Sequence, residues 1–370
     1  MQNTASLPAD QFSDLLGRLP ADLDLDALAW QTKAIERCRK LDSGTSLLRL
    51  ALARGPGGLS LSETAAWATM LGLPAMSDPG VKYRLDKAVG FLNAVMLSQL
   101  AAKSAGASVR WAGRILRASD GTCISKRGST GTDWRVHGVY DLGRGGFTHL
   151  EVTDSHGGEA LDRGQPVPGE IRIADRGYAN AQSWQRFLQA RDERTDFIVR
   201  MRWNTINLVD EAGGPFDLVA WLQTRPQDSE THEITASARS GKRQTPMAIR
   251  LIARRKPQAV IAAEHQRLRQ HASRKQRKLD PRSLIAAQYV VLATSLAEQD
   301  APADAVLAVY RLRWQIELAF KRLKSLLHID KLRTKTEAGT RCWLYAHLIV
   351  ALLGDDLSQD VLESFPSGPV

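Results

Sequence analysis

The sequence predicts an α/β fold preceded by an all-helical segment, and three observations carry that prediction. Up to about residue 105, apolar residues recur at spacings of three and four with almost no strand signal. From about Val109 the pattern changes to short alternating strands, two of which run into an acid followed closely by glycine. Further on, around Glu317, an amphipathic helix carries its charged groups along one face.

In chain order, the apolar spacing predicts helices over Asp22–Leu41, Ser43–Ala53, Ser62–Leu71 and Pro79–Ala101. The last two are separated by Leu71-Gly-Leu-Pro-Ala-Met-Ser77, and the second presents Lys82, Tyr83, Arg84 and Lys87 near its start. That is a helix-turn-helix in outline, with a plain helical bundle as the alternative. Residues 1–107 are therefore expected to form a helical N-terminal DNA-binding domain.

Strands are expected over Val109–Ala118, Asp133–Leu142, Thr148–Thr153, Ile171–Ala174 and Asp196–Trp203, with a helix over Ala179–Arg191 between the last two. Three strands followed by strand, helix and strand is the layout of an RNase H-like core, assigned to 108–204 and resumed at 289–354. In that layout the first and fourth strands are neighbours. Asp120, in Ser-Asp120-Gly, and Asp175, in Ala-Asp175-Arg-Gly, should then meet at the carboxyl ends of adjacent strands, where α/β sheets place ligands. Taken singly, either acid could also be only a turn residue.

Residues 205–288 read as an inserted β-rich subdomain followed by a basic helix. In Glu264–Lys278 the cations Arg267, Arg269, Arg274, Lys275, Arg277 and Lys278 are opposed only by Glu264, so self-repulsion favours an anionic partner over a merely solvated face. A helix over Glu337–Leu353 is expected to pack into the core, and 355–370 to form a flexible tail.

The run from Tyr310 to Lys324 is the most specific signal. At about 100° per residue, Tyr310, Arg313, Glu317 and Lys324 fall within roughly 60° of arc, opposite Leu312, Ile316, Ala319, Leu323 and Leu326. A hydroxyl, a guanidinium, a carboxylate and an ammonium on one face suit a phosphodiester held beside a metal. The plainer alternative is a surface helix with an Arg313–Glu317 pair at i,i+4.

The whole chain bounds these readings. Its 370 residues are 43% hydrophobic, enough for a large buried core, and the net charge of +10 points to an anionic polymer. Three scattered cysteines, Cys38, Cys123 and Cys342, build neither a disulfide framework nor a zinc site, and Cys123 is expected to be buried. There is no apolar run long enough to span a bilayer and no phosphate-binding Gly-x4-Gly-Lys motif, so a cytoplasmic protein using neither membrane nor ATP is expected.

Together, Asp120-Gly-Thr, Asp175-Arg-Gly-Tyr and Tyr310-x2-Arg313-x3-Glu317-x6-Lys324 resemble the DDE transposases of bacterial insertion sequences, specifically the IS-four family, over roughly Val109–Leu353. The resemblance implies Asp120, Asp175 and Glu317 as catalytic, metal-holding residues for Mg2+, with Mn2+ as a substitute. It implies Tyr310, Arg313 and Lys324 as DNA contacts; the basic run adds Arg267, Arg274, Lys275, Arg277 and Lys278 as expected DNA contacts. The partners the resemblance implies are double-stranded DNA, as terminal inverted repeats and target, and a second subunit in the DNA complex. The reaction it implies is hydrolysis at an element end, hairpin formation and resolution, then joining of the 3′-OH to target DNA. One departure stands out: hairpin-forming relatives carry a base-stacking tryptophan near the start of the last strand, where this chain has Gln288-Tyr289-Val290. Tyr289 is expected either to stand in for the missing tryptophan as a DNA contact or to mark a different hairpin step. The alternatives are a structure-selective DNA nuclease on the same fold and a non-catalytic DNA-binding relic.

Overall fold

The protein is described by a computed structural model covering residues 12–364 except 38–40, 42, 105–107, 109, 127, 192, 229, 242–244 and 331. Its amino-terminal part holds six helices, α1 (Phe12–Leu16), α2 (Leu25–Gln31), α3 (Gly44–Arg54), α4 (Leu61–Met70), α5 (Asp78–Lys87) and α6 (Val89–Ser104). Polar caps set their starts: Asp24, Ser43 and Ser77 accept backbone N–H bonds, and Ser60 forms a reciprocal capping box with Glu63. Two expected helices are corrected. Asp22–Leu41 shortens to α2, which turns off at Thr32 before Lys33 at φ 57°, and Pro79–Ala101 divides at Ala88 into α5 and α6.

These helices do not close a core among themselves. Leu47, Leu48, Phe91, Leu92 and Met96 are fully buried together with Leu344, Leu348, Ile349 and Leu352 of the last helix, α13 (Glu337–Ser364). Core packing of that helix, expected from its sequence, is what the structure has. It also continues through 364, past the expected start of a tail at 355; residues 365–370 lie outside those described, as do Cys38 and Val109.

One ten-stranded sheet follows, built from β1 (Arg110–Trp111), β2 (Arg114–Ile124), β3 (Trp134–Asp141), β4 (Gly146–Asp154), β5 (Glu170–Ala174), β6 (Asp196–Arg200), β7 (Asn207–Val209), β8 (Thr231–Arg239), β9 (Met247–Arg255) and β10 (Tyr289–Thr294). The order is β4-β3-β2-β5-β6-β10-β9-β8-β7, with β1 folded onto β2. β2, β5 and β6 run parallel to one another and the other pairings are antiparallel. The expected first strand is thus a hairpin, turned at Ala112 and Gly113 with φ 47° and 76°, followed by a strand that runs on to Ile124. The inserted strands do not stand apart as a subdomain: β9 pairs with β10 along six residues, so β7–β9 extend the main sheet.

Helices cover both faces. α7 (Ala181–Gln189) and α8 (Leu218–Gln223) bury Trp184, Phe187 and Leu222 with Phe197 and Val291. α11 (Ala303–Tyr310) seals Ile171, Ile173 and Leu292. α12 (Trp314–Leu327) packs Ile316, Phe320 and Leu323 against Ala118, Val136 and Phe147. α9 (Gln258–Arg274) and α10 (Pro281–Ala287) fill the connection from β9 to β10.

Candidate active site

The parallel ladder between β2 and β5 ends at Ser119 opposite Ala174, so Asp120 and Asp175 are the next residues on two adjacent strands. Asp120 does not lie in a turn as its Asp-Gly suggested: β3 pairs with β2 as far as Ile124, which keeps the backbone extended after β5 has ended. Asp120 Oδ1 accepts from Gly121 N–H at 2.8 Å, and Asp175 Oδ1 accepts from Gly177 N–H at 2.7 Å as it caps a 3-10 turn over Arg176–Tyr178. Burial pushes the Asp120 carboxyl up to about 6, with the negative Asp175 and Glu317 adding to it and the Gly121 N–H and Arg313 opposing.

Glu317 reaches this place through packing rather than pairing. Gly138 lies opposite Asp120 across the antiparallel ladder, and the Phe320 ring of α12 rests on it. A Cβ at Gly138 would lie 2.7 Å from Phe147 Cε1 and 2.9 Å from Phe320 Cζ, so glycine allows the helix to settle onto the sheet. Glu317 is three residues before Phe320 on the same helix flank. Its half-exposed carboxylate accepts from Arg313 Nη2 at 2.7 Å. With Glu317 drawn to Arg313, no group of three potential ligands forms a ready metal site among the described residues.

The run from Tyr310 to Lys324 is not one uniform helix. α11 ends at Tyr310, a 3-10 turn spans Arg311–Arg313, and α12 starts at Trp314, which tightens the winding within the motif. Tyr310 is largely buried, its hydroxyl has no well-formed hydrogen bond among the described residues, and the Arg313 guanidinium lies 5.8 Å from its ring centre. Lys324 is partly buried nearly two turns beyond Glu317.

Residues 111–353 match the family model described as the transposase DDE domain. The chain belongs to the DDE transposases. It is 38% identical over 359 residues to InsL of insertion sequence element IS186A of Escherichia coli (strain K12), described as a transposase, covering 96% of each chain. It is also 38% identical over 360 residues to the transposase of IS421 of Escherichia coli, again covering 96% of each. A piggyBac transposase in a synaptic complex with hairpin DNA aligns with a TM-score of 0.45 and 9% identity over 96% of this chain and 75% of that one, a likeness too slight to bear on the site. The protein is a DNA transposase of an insertion-sequence type, an enzyme that acts on DNA.

Beside the acids the transposase has a cationic hollow that sequence spacing did not reveal. A cavity of about 440 Å3 is lined by Arg176, Arg200, Arg202, Trp203, Lys256 and Arg267 among others, and Arg176 directly follows Asp175. A second, of about 710 Å3, shares Arg200 and Lys256 and reaches Tyr310, Arg313 and Trp314. Burial, then the neighbouring Arg200, Arg176 and Arg267, holds Lys256 below the usual lysine range, the mark of cations crowded without enough counter-charge. Only the strand order β6-β10-β9 brings these residues together.

Tyr289 is 6% exposed and lines the floor of this hollow, its hydroxyl donating to the Leu222 carbonyl at 3.3 Å. Cys123 is exposed, contrary to expectation. Arg267, Arg274, Lys275, Arg277 and Lys278 are all exposed on and just after α9, with Arg267 paired to Glu264 at 2.8 Å. In α5, Lys82 pairs with Asp86, and Lys87 donates to Glu36 at 2.7 Å, so part of the charge expected to face DNA is matched within the protein. No described helix is long and apolar enough to cross a membrane.

Proposed function

We propose that this chain is a cut-and-paste transposase of the IS-four family, that β4-β3-β2-β5-β6 is its RNase H-like core, and that Asp120, Asp175 and Glu317 hold divalent cations. The observation that carries this reading is the adjacency of Asp120 and Asp175 at the end of the β2–β5 ladder, beneath the helix that bears Glu317. The donor set fits a hard cation such as Mg2+: every group is a carboxylate oxygen, and the like charges that raise Asp120 are the kind of crowding a dication relieves. When bound, such ions supply charge neutralisation at the reacting phosphate and activation of the attacking oxygen.

The chain's own residues do the positioning. Gly121 and Gly177 N–H groups orient the two aspartates. Arg313 holds the Glu317 carboxylate in the DNA-free protein, and a phosphate that takes Arg313 releases Glu317 toward Asp120, so substrate binding completes the acid set. Lys324 continues the grip along α12, and the hollow between Arg176 and Arg313 gives the DNA end a basic bed. The exposed cations at Arg274, Lys275, Arg277 and Lys278 hold flanking duplex, and the helices before Arg110 contribute to binding the terminal repeat. Two subunits hold both ends so that neither is cut alone.

The test is Mg2+-dependent cleavage and joining of a labelled terminal-repeat duplex on a denaturing gel, comparing the native protein with Glu317→Gln. Nicks at the repeat boundary followed by joined or hairpin products, all lost in the variant, are expected. Cleavage without joining would identify a nuclease, and binding without cleavage by either protein a relic.

A further inference from the structure

Glu159 stands at the acid centre, and none of the roles above uses it. It lies in the loop from β4 to β5, which is tied down firmly. Arg172, fully buried, donates through Nη1 to the carbonyls of Leu161, Arg163 and Gly164 at 3.0, 2.8 and 2.9 Å, and Arg163 Nε donates to the Gly158 carbonyl at 2.8 Å. The loop thus presents Glu159 from a fixed base.

Its carboxylate enters a space kept open by two glycines, each close after one of the aspartates. A Cβ on Gly177 would lie 1.8 Å from Glu159 Oε2 and 3.0 Å from Asp175 Oδ1. A Cβ on Gly121 would lie 3.4 Å from His137 Nδ1 and 3.8 Å from Glu159 Oε1. Neither glycine has a positive φ, so the missing side chain serves the space and not the backbone. Among the described residues Glu159 makes no hydrogen bond or ion pair, although its oxygen and that of Asp175 flank a single point.

A second observation points into the same space. His137 is 1% exposed, and among the described residues its Nδ1 has no hydrogen-bond partner. His137 Nε2 and Thr153 Oγ1 lie 3.0 Å apart, and with the Thr153 hydroxyl turned to the Asp154 carbonyl at 3.2 Å the ring donates from Nε2. In the neutral ring this leaves Nδ1 as a buried lone pair beside Gly121 with nothing to receive. Asp175 and Glu159 meet at Gly177, and His137 Nδ1 faces Glu159 across Gly121. Among the described residues the Gly177 N–H to Asp175 is the one hydrogen bond these oxygens receive, with Arg135 and Arg202 acting on Glu159 at longer range. The remaining carboxylate oxygens and the imidazole lone pair suit a divalent cation.

We propose that Glu159 is a fourth carboxylate of the catalytic centre, sharing a divalent cation with Asp175 on the side of the sheet where His137 presents Nδ1. This rests on the reading of Asp120, Asp175 and Glu317 as the metal-holding set. The experiment is Mn2+ binding to the full chain without DNA, followed by the electron paramagnetic resonance of free Mn2+, for the native protein, Glu159→Gln, Gly177→Ala, Asp175→Asn and Asp120→Asn, with thermal unfolding as the check on folding. Glu159→Gln and Gly177→Ala should each weaken uptake by about 10-fold or more, the alanine because its methyl displaces the carboxylate. Native affinity in Glu159→Gln beside a loss in Asp175→Asn overturns the proposal and leaves the three-acid reading intact. Unchanged uptake in both aspartate variants, or no uptake by the native chain at millimolar Mn2+, overturns it together with its footing. If Glu159→Gln does not fold, Glu159→Ala decides: a matching loss supports the proposal and native affinity overturns it.

Discussion

Asp120→Asn should make the metal-free transposase more stable while abolishing its reaction. Burial with two neighbouring carboxylates raises the Asp120 carboxyl from the usual 3.8 to about 6 in the folded chain. At 1.36 kcal/mol per unit, ionised Asp120 costs the native state about 3 kcal/mol. The sign follows from proton linkage. The folded state binds the proton more tightly than the unfolded chain, so the cost is fully present above about pH 6 and is relieved as pH falls toward 3.8. Asparagine keeps an oxygen for the Gly121 N–H and carries no charge. Urea unfolding in EDTA should therefore show the variant more stable by up to about 3 kcal/mol at pH 8, with the gap shrinking as pH is lowered through 6. Adding Mg2+ should raise the Tm of the native chain and not that of the variant, because a ligand that binds only the folded state stabilises it. Equal stability at pH 8, or a gap that does not change between pH 8 and pH 5, would refute the argument that Asp120 is a strained, uncompensated charge.

Two further outcomes follow from the packing and the charge. Gly138→Ala forces a methyl against Phe147 and Phe320, so a loss of about 1–3 kcal/mol is expected, together with reduced cleavage because the displaced α12 carries Glu317; unfolding and cleavage measured on one preparation check both. Replacing Arg274, Lys275, Arg277 and Lys278 by glutamine should weaken duplex binding and reduce the slope of log affinity against log salt by about 0.9 for each phosphate no longer neutralised, and an unchanged slope would place DNA elsewhere.

Local chemistry made much of this transposase legible. β3, β4 and β5 stand close to where alternating apolar residues put them, and Asn180 caps α7 near the expected start of that helix. The four-residue spacing from Tyr310 to Lys324 pointed to the reaction class because residue type and interval are themselves the signal. The misreadings have local causes as well. Ala112-Gly113 makes a hairpin inside an apolar stretch, and nothing in the Asp120-Gly121 pair reveals that β3 will hold it extended. For Tyr289, which begins a β-branched strand, only the elements packed around β10 determine that its ring is buried at the floor of the hollow.

By itself, then, the sequence determined the α/β class and the helical start, and it singled out the two aspartates, the glutamate helix and the basic run as the candidates, because periodicity, turn chemistry and motif spacing are properties of neighbours along the chain. Only the tertiary structure decided that the inserted strands extend one sheet, that α13 completes the amino-terminal core, that Arg176, Arg200 and Lys256 gather beside the acids, and that Glu159 and His137 face one space between two glycines. The reason is physical: those relations depend on strand order and on which side chains are removed from water together, and residues that meet across a sheet leave no fixed interval in the sequence to read.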